Sequence, residues 1–164
     1  MPTEEPDHID RIVDQWRRER PELDTEPLET LGRIFLAGHL ADAVLAENLA
    51  AHGLETGWFN LLAALRRAGR PYQLNPTALR EATMLSSGGM TKRLDRMTEA
   101  GLIERRPDPT DRRGILVRLT RKGRSVFDKA LETHIESERR VLASLTKGDR
   151  RALNGVLRKL LRAL

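Results

Sequence analysis

Ser86, Ser87, Thr91, Lys92, Arg93 and Arg96 crowd eleven positions of the chain with hydroxyls and cations. Side chains of these types offer hydrogen bonding rather than bond breaking. They donate to phosphate oxygens and to the acceptor edges of bases. A second cluster follows at Asp111, Arg112 and Arg113. An arginine at a loop tip can enter the minor groove, whose narrow A·T stretches concentrate negative potential. Asp111 stands two residues before Arg113, close enough to brace its guanidinium, which leaves Arg112 for a flanking phosphate. A third group is more spread out. Asn60 and Arg67 are seven apart, two turns along one helical face, with the small residues Ala63 and Ala64 between them. Strand alternation puts Arg105 on the same side as Ile103, pointing inward, with Glu104 and Arg106 pointing out. With Trp16 as an aromatic wall, Asn60, Arg67 and Arg105 make a set suited to a small anion or aromatic acid.

These groups need elements to place them. The spacing of Ile9, Ile12, Val13 and Trp16 predicts a helix over 7–20, ended by Pro21. Leu36, Leu40 and Val44 repeat at intervals of four in a longer helix, which His52-Gly53 stops. A third helix over 56–68 turns Trp58, Leu61, Leu62 and Leu65 to a core. Asn75-Pro76-Thr77 starts a short helix to about Thr83, with Pro76 where its missing N–H costs little. The Ser86 to Gly89 turn leads into a helix that runs to about Ala100. In it Met90, Leu94 and Met97 share one face, held by Leu79 and Leu85 of the preceding segment, and the hydroxyls and cations share the other. The glycines let the helix start approach a phosphate closely, and its dipole favours one. Next, two alternating runs, 103–106 and 115–120, flank a tip that contains Pro109 and Gly114, which is a β-hairpin signal. The segment 121–145 is expected to be helical and Gly148 to interrupt. Leu153, Val156, Leu157, Leu160, Leu161 and Leu164 then form a closing amphipathic stripe.

Composition supports a binding function. Net charge is +5, but residues 1–30 carry ten acids and four bases, leaving +11 on the rest. Between Ser86 and Ser125 there are eleven Arg or Lys against five acids. That concentration reads as a polyanion footprint. With no cysteine, disulfides, thiolate metal sites and thiol redox sensing are excluded. His8, His39, His52 and His134 lack a compact metal-ligand spacing. No nucleophile–base set, carboxylate pair or phosphate loop appears, so no enzyme, no cofactor and no metal are expected. No apolar run suits a membrane helix and the first twenty residues lack a signal-peptide pattern, which points to a cytoplasmic address without membrane contact.

Together these readings give a mainly α chain with a small β-hairpin wing, a winged helix-turn-helix. The segments Leu85 to Thr91, Arg93 to Arg96, Ala100 to Arg106 and Asp108 to Gly114, with Val117, Leu119-Thr120 and Gly123, resemble the MarR family of winged-helix transcriptional regulators. The resemblance runs from about Leu31 to the C-terminus. One departure is Thr110, where the family often carries arginine. The resemblance implies a homodimer built from the N- and C-terminal helices, and the leucine stripe independently supports one. It also implies sequence-specific binding of double-stranded DNA at a pseudo-palindromic site, with half-sites about one turn apart. The expected division is 1–52 for N-terminal dimerisation and a pocket wall, 53–120 for DNA binding, and 121–164 for C-terminal dimerisation. Trp16, Arg67 and Arg105 also match positions of a urate-responsive subgroup, in which Asn60 is an aspartate. The implied effector is urate, a purine-like compound or an aromatic acid, and the implied role is a repressor released by it. The alternative at this point is a winged protein-interaction module without ligand response.

Overall fold

A computed structural model describes residues 5–83, 89–111 and 114–164. These form two compact units, Met1–Val44 and Leu45–Leu164. The first unit contains α1 (His8–Glu19) and most of α2 (Glu26–Ala50). Asp7 caps α1, accepting from the backbone N–H of Ile9 and Asp10 at 2.7 and 2.9 Å, while Asp10 accepts from the Asp7 N–H. Ile9 and Val13 are buried, and Gly32 of α2 leaves just enough room for the Ile9 side chain. Arg33 ties the helices together, donating to Asp7 at 2.8 Å and to Asp10 at 2.6 Å.

The second unit is built around α3 (Thr56–Arg67), whose Leu61, Leu62 and Leu65 are fully buried. Then follow β1 (Gln73–Leu74), α4 (Pro76–Thr83), α5 (Met90–Glu99), β2 (Ile103–Pro107), β3 (Ile115–Leu119), α6 (Arg121–Val141) and α7 (Lys147–Ala163). The Asn75 side chain caps α4 by accepting from the Ala78 N–H at 2.8 Å, so Pro76 falls in the first turn as expected. The sheet is antiparallel in the order β1-β3-β2, with Ile103 opposite Leu119 and Pro107 opposite Ile115. Leu79, Met97, Ile103, Val117 and Phe127 close one core beneath it.

Three boundaries differ from the sequence reading. β1 has only two residues, too few for an alternation pattern, and exists because Gln73 and Leu74 pair with Arg118 and Val117. α6 stops at Val141 rather than near Leu145. Gly148 does not interrupt, because Thr146 and Asp149 form a reciprocal capping box that puts the glycine in the first turn of α7.

Asp7, Asp108 and Asp149 each hold a turn or helix start, and each carboxyl lies below its ordinary pKa. The leading causes are the Asp10 N–H for Asp7, the Thr110 hydroxyl for Asp108 and the Thr146 hydroxyl for Asp149. A depressed folded pKa stabilises above the unfolded value and is lost as pH falls through the folded one. Stability is therefore expected to hold down to about pH 5 and to decline as pH drops through about 4. In acid denaturation Asp149→Asn should give a shallower decline than wild type, and an identical decline would remove the α7 cap from this explanation.

Candidate nucleic-acid interface

The core side of α5 is made by Met90, Leu94 and Met97, exposed by 7%, 3% and 0%. Its other side presents Thr91, Lys92 and Arg96, all exposed, as the period of the segment requires. Arg93 sits at the edge of that face, half-buried. A side chain at Gly57 would meet its guanidinium at 2.8 Å, so the glycine makes room for Arg93 beside the start of α3. Lys92, Arg93 and Arg96 border a shallow hollow with Glu55 and Gly89. Gly89 begins α5 with φ 91° and offers no side-chain cap, which leaves an electropositive helix end beside the three cations. Ser86 and Ser87, assigned to the same face, lie outside the described residues, as does Leu85.

The wing leaves the core at Ile103 and returns at Leu119. Its turn is organised by a residue the sequence reading passed over. Asp108 accepts from the Thr110 N–H at 2.8 Å and from its hydroxyl at 2.7 Å, and its own N–H donates to the Gly114 carbonyl. An aspartate two residues before a backbone donor is an Asx-turn signal, and Asp108-Pro109-Thr110 carried it. The Gly114 N–H closes the turn on the Asp111 carbonyl at 2.9 Å. Arg112 and Arg113 lie outside the described residues, and so does the expected bracing of Arg113 by Asp111.

Asn60 and Arg67 line one cavity of about 560 Å³, as their spacing implied. Its floor is Phe59, Ala63 and Phe127, and its far wall is α6, through Leu131, His134 and Glu138. Ala64 turns into the core instead. His134 was not anticipated as a site residue. Its ring lies 4.5 Å from that of Phe59, its Nε2 is 3.5 Å from Glu138, and its Nδ1 is buried without a partner among the described residues. The signal was available, since Phe127, Leu131, His134 and Glu138 follow a 4-3-4 helical spacing. Arg105 does not line this cavity. It shares the Ile103 side of β2 as expected, but that side faces α5 once the strand leaves the core, and the Arg105 guanidinium donates to Asp95 at 2.6 Å. Trp16 belongs to the first unit, where it is 47% exposed.

The arrangement is a helix-turn-helix followed by a wing, with the cations on the second helix of the pair. Comparison with known proteins agrees. A model described as MarR family matches residues 52–114. The HTH-type transcriptional regulator PecS of Dickeya dadantii is 35% identical over 149 residues, covering 91% of this chain and 90% of that one. The solved structure of a mutant MarR from E. coli complexed with operator DNA superimposes with a TM-score of 0.73 at 26% identity, covering 89% and 97% of the two chains. AbsC, a MarR family regulator from Streptomyces coelicolor, gives 0.76 at 25% identity, covering 86% and 96%. These relatives are regulators rather than enzymes, and no helix among the described residues is long and apolar enough to cross a membrane. The chain belongs to the MarR family of winged-helix, DNA-binding transcriptional regulators.

Proposed function

We propose that the chain acts as a homodimeric repressor that binds a pseudo-palindromic operator and is released by a small anionic or aromatic ligand. The observation that carries the DNA half is the exposed Thr91, Lys92 and Arg96 face of α5, set against a buried Met90, Leu94 and Met97 face. In this reading α5 enters the major groove. Ser86, Ser87, Thr91, Lys92, Arg93 and Arg96 contact phosphates and base edges, while Arg113, braced by Asp111, enters the minor groove and Arg112 meets a flanking phosphate. Dimerisation is supported by α7, where Leu153, Val156, Leu161 and Leu164 are 44–93% exposed in the single chain. The work divides as residues 1–52 and 121–164 for dimer formation and 53–120 for DNA.

The ligand half rests on the cavity that Asn60 and Arg67 share with Phe59 and His134. It combines two guanidiniums, Arg66 paired with Asp128 and Arg67 without a carboxylate within 4 Å among the described residues, with the Asn60 amide, the His134 imidazole beside Glu138 and aromatic flooring, which suits urate, a purine-like compound or an aromatic acid. Trp16 and Arg105 are proposed as effector residues on the family resemblance alone, independently of the cavity. The ligand must bind the two head spacings with different affinity to shift their populations. Calorimetric titration with urate and simple aromatic acids tests this. One of them is expected to bind and to release DNA, and Arg67→Ala to weaken it by about tenfold or more, the loss of one charge-assisted hydrogen bond. Binding that survives Arg67→Ala unchanged would remove the pocket.

A further inference from the structure

A second cavity, of about 390 Å³, lies at the root of the wing. It is lined by Arg70, Arg118, Arg121 and Arg124 with Tyr72 and Thr120, and no carboxylate is among its lining residues. Five-residue β2 and β3 separate this root from the Asp108–Gly114 tip by roughly 13 Å at ~3.3 Å per residue. In the proposed function, on which this point rests, the tip and α5 contact DNA and these arginines are not used.

We infer that this cavity is a binding site for a small, multiply charged phosphate compound of the diphosphate class. Four guanidinium groups around one hollow repel each other unless something anionic sits among them. Nearby acids do little to relieve this. Among the described residues only Arg118 of the four has a carboxylate within 4 Å, Glu104 at 3.9 Å. Asp128 is occupied by Arg66, at 2.9 Å. The first turn of α6 adds to the excess: it holds Arg121, Lys122 and Arg124 and no acid, at the end of the helix dipole where cations are unfavourable. Planar guanidinium forks match phosphate oxygens two at a time, and four of them suit more than one phosphate group. The hollow accepts a small molecule and is too small for a duplex.

Tyr72 reports the same potential. Arg66 and Arg124 lie 5.1 and 5.9 Å from its ring centre. Its phenol is pulled below the usual tyrosine range, first by a hydrogen bond from Arg70. Tyr72 is the chain's single tyrosine, so phenolate absorbance reads this cavity alone.

The experiment uses inorganic pyrophosphate, with chloride at matched ionic strength as control. Calorimetry should show saturable binding, and the Tyr72 titration midpoint should rise toward the usual value as the bound anion neutralises the arginines. In the Arg70→Gln/Arg124→Gln double variant, binding should fall by at least about tenfold, the midpoint should stop responding, and DNA affinity should stay unchanged. Should that variant fail to fold by circular dichroism, the exposed single change Arg121→Gln carries the expectation of weaker pyrophosphate binding. No binding to wild type, or an equal midpoint response in the variant, overturns the site. Loss of DNA affinity in the variant without pyrophosphate binding to wild type also overturns it and makes the cavity a DNA-backbone contact. Neither result bears on urate or aromatic acids at Arg67, which is titrated separately.

Discussion

Gly123→Ala is expected to destabilise the winged unit by about 3 kcal/mol or more, at the upper end of what overpacking costs. An added Cβ would stand 2.0 Å from the Leu102 carbonyl oxygen and 2.8 Å from its carbon, both backbone atoms that cannot swing away. The clash falls on the joint between wing and α6. There the Thr120 N–H donates to the Leu102 carbonyl at 3.1 Å, and the Thr120 hydroxyl donates to Gly101 while accepting from the Gly123 N–H at 2.9 Å. Relief requires α6 to move off the strand root, which breaks those bonds and opens the contact of Phe127 with the core. For a chain of this size the melting temperature should fall by roughly 6–12 °C. Gly155→Ala is the matching control. Nothing lies within 4 Å of its added Cβ in α7, so alanine there should stabilise by up to about 1 kcal/mol. Denaturant midpoints for the two variants should move in opposite directions. A Gly123→Ala midpoint within error of wild type would mean that α6 does not pack on Leu102 as described.

The elements that position the interface were legible because they obey one period each. Met90, Leu94 and Met97 repeat at helical spacing, and Thr91, Lys92 and Arg96 are left facing out by the same geometry. The hairpin was legible from its punctuation, but the residue that builds the turn, Asp108, was hidden behind the neighbouring arginines. Arg105 shows the limit of alternation. The pattern correctly gives the side of the strand, yet whether that side meets the core or another helix depends on how far the strand has left the sheet, which only tertiary packing decides. β1 was invisible for a similar reason, since two residues cannot display a period. The Asn60–Arg67 spacing marked a real cavity, whereas its opposite wall, sixty to eighty residues later in α6, could not be assigned to it from sequence separation.

The other large expected effect concerns DNA. Lys92 and Arg96 are exposed on the outer face of α5 and have no carboxylate within 4 Å among the described residues, so their charge is available to phosphate. Removing both in Lys92→Ala/Arg96→Ala should leave folding intact, because neither side chain is buried. Each lost charge-assisted bond is worth about 1.5–3 kcal/mol, so the double variant should bind roughly a hundredfold or more weaker. The loss should be electrostatic in character. Each phosphate contact releases counterions, and the slope of log affinity against log salt should shrink by about one unit per contact removed.

That slope is the most direct measurement of whether α5 reads DNA. Fluorescence anisotropy on a duplex selected by the wild-type protein, repeated across a salt series, gives affinity and slope together. Reading by α5 predicts a steep, linear salt dependence for wild type and a weaker, shallower one for Lys92→Ala/Arg96→Ala. A folded double variant with wild-type affinity and slope would show that another surface binds the DNA.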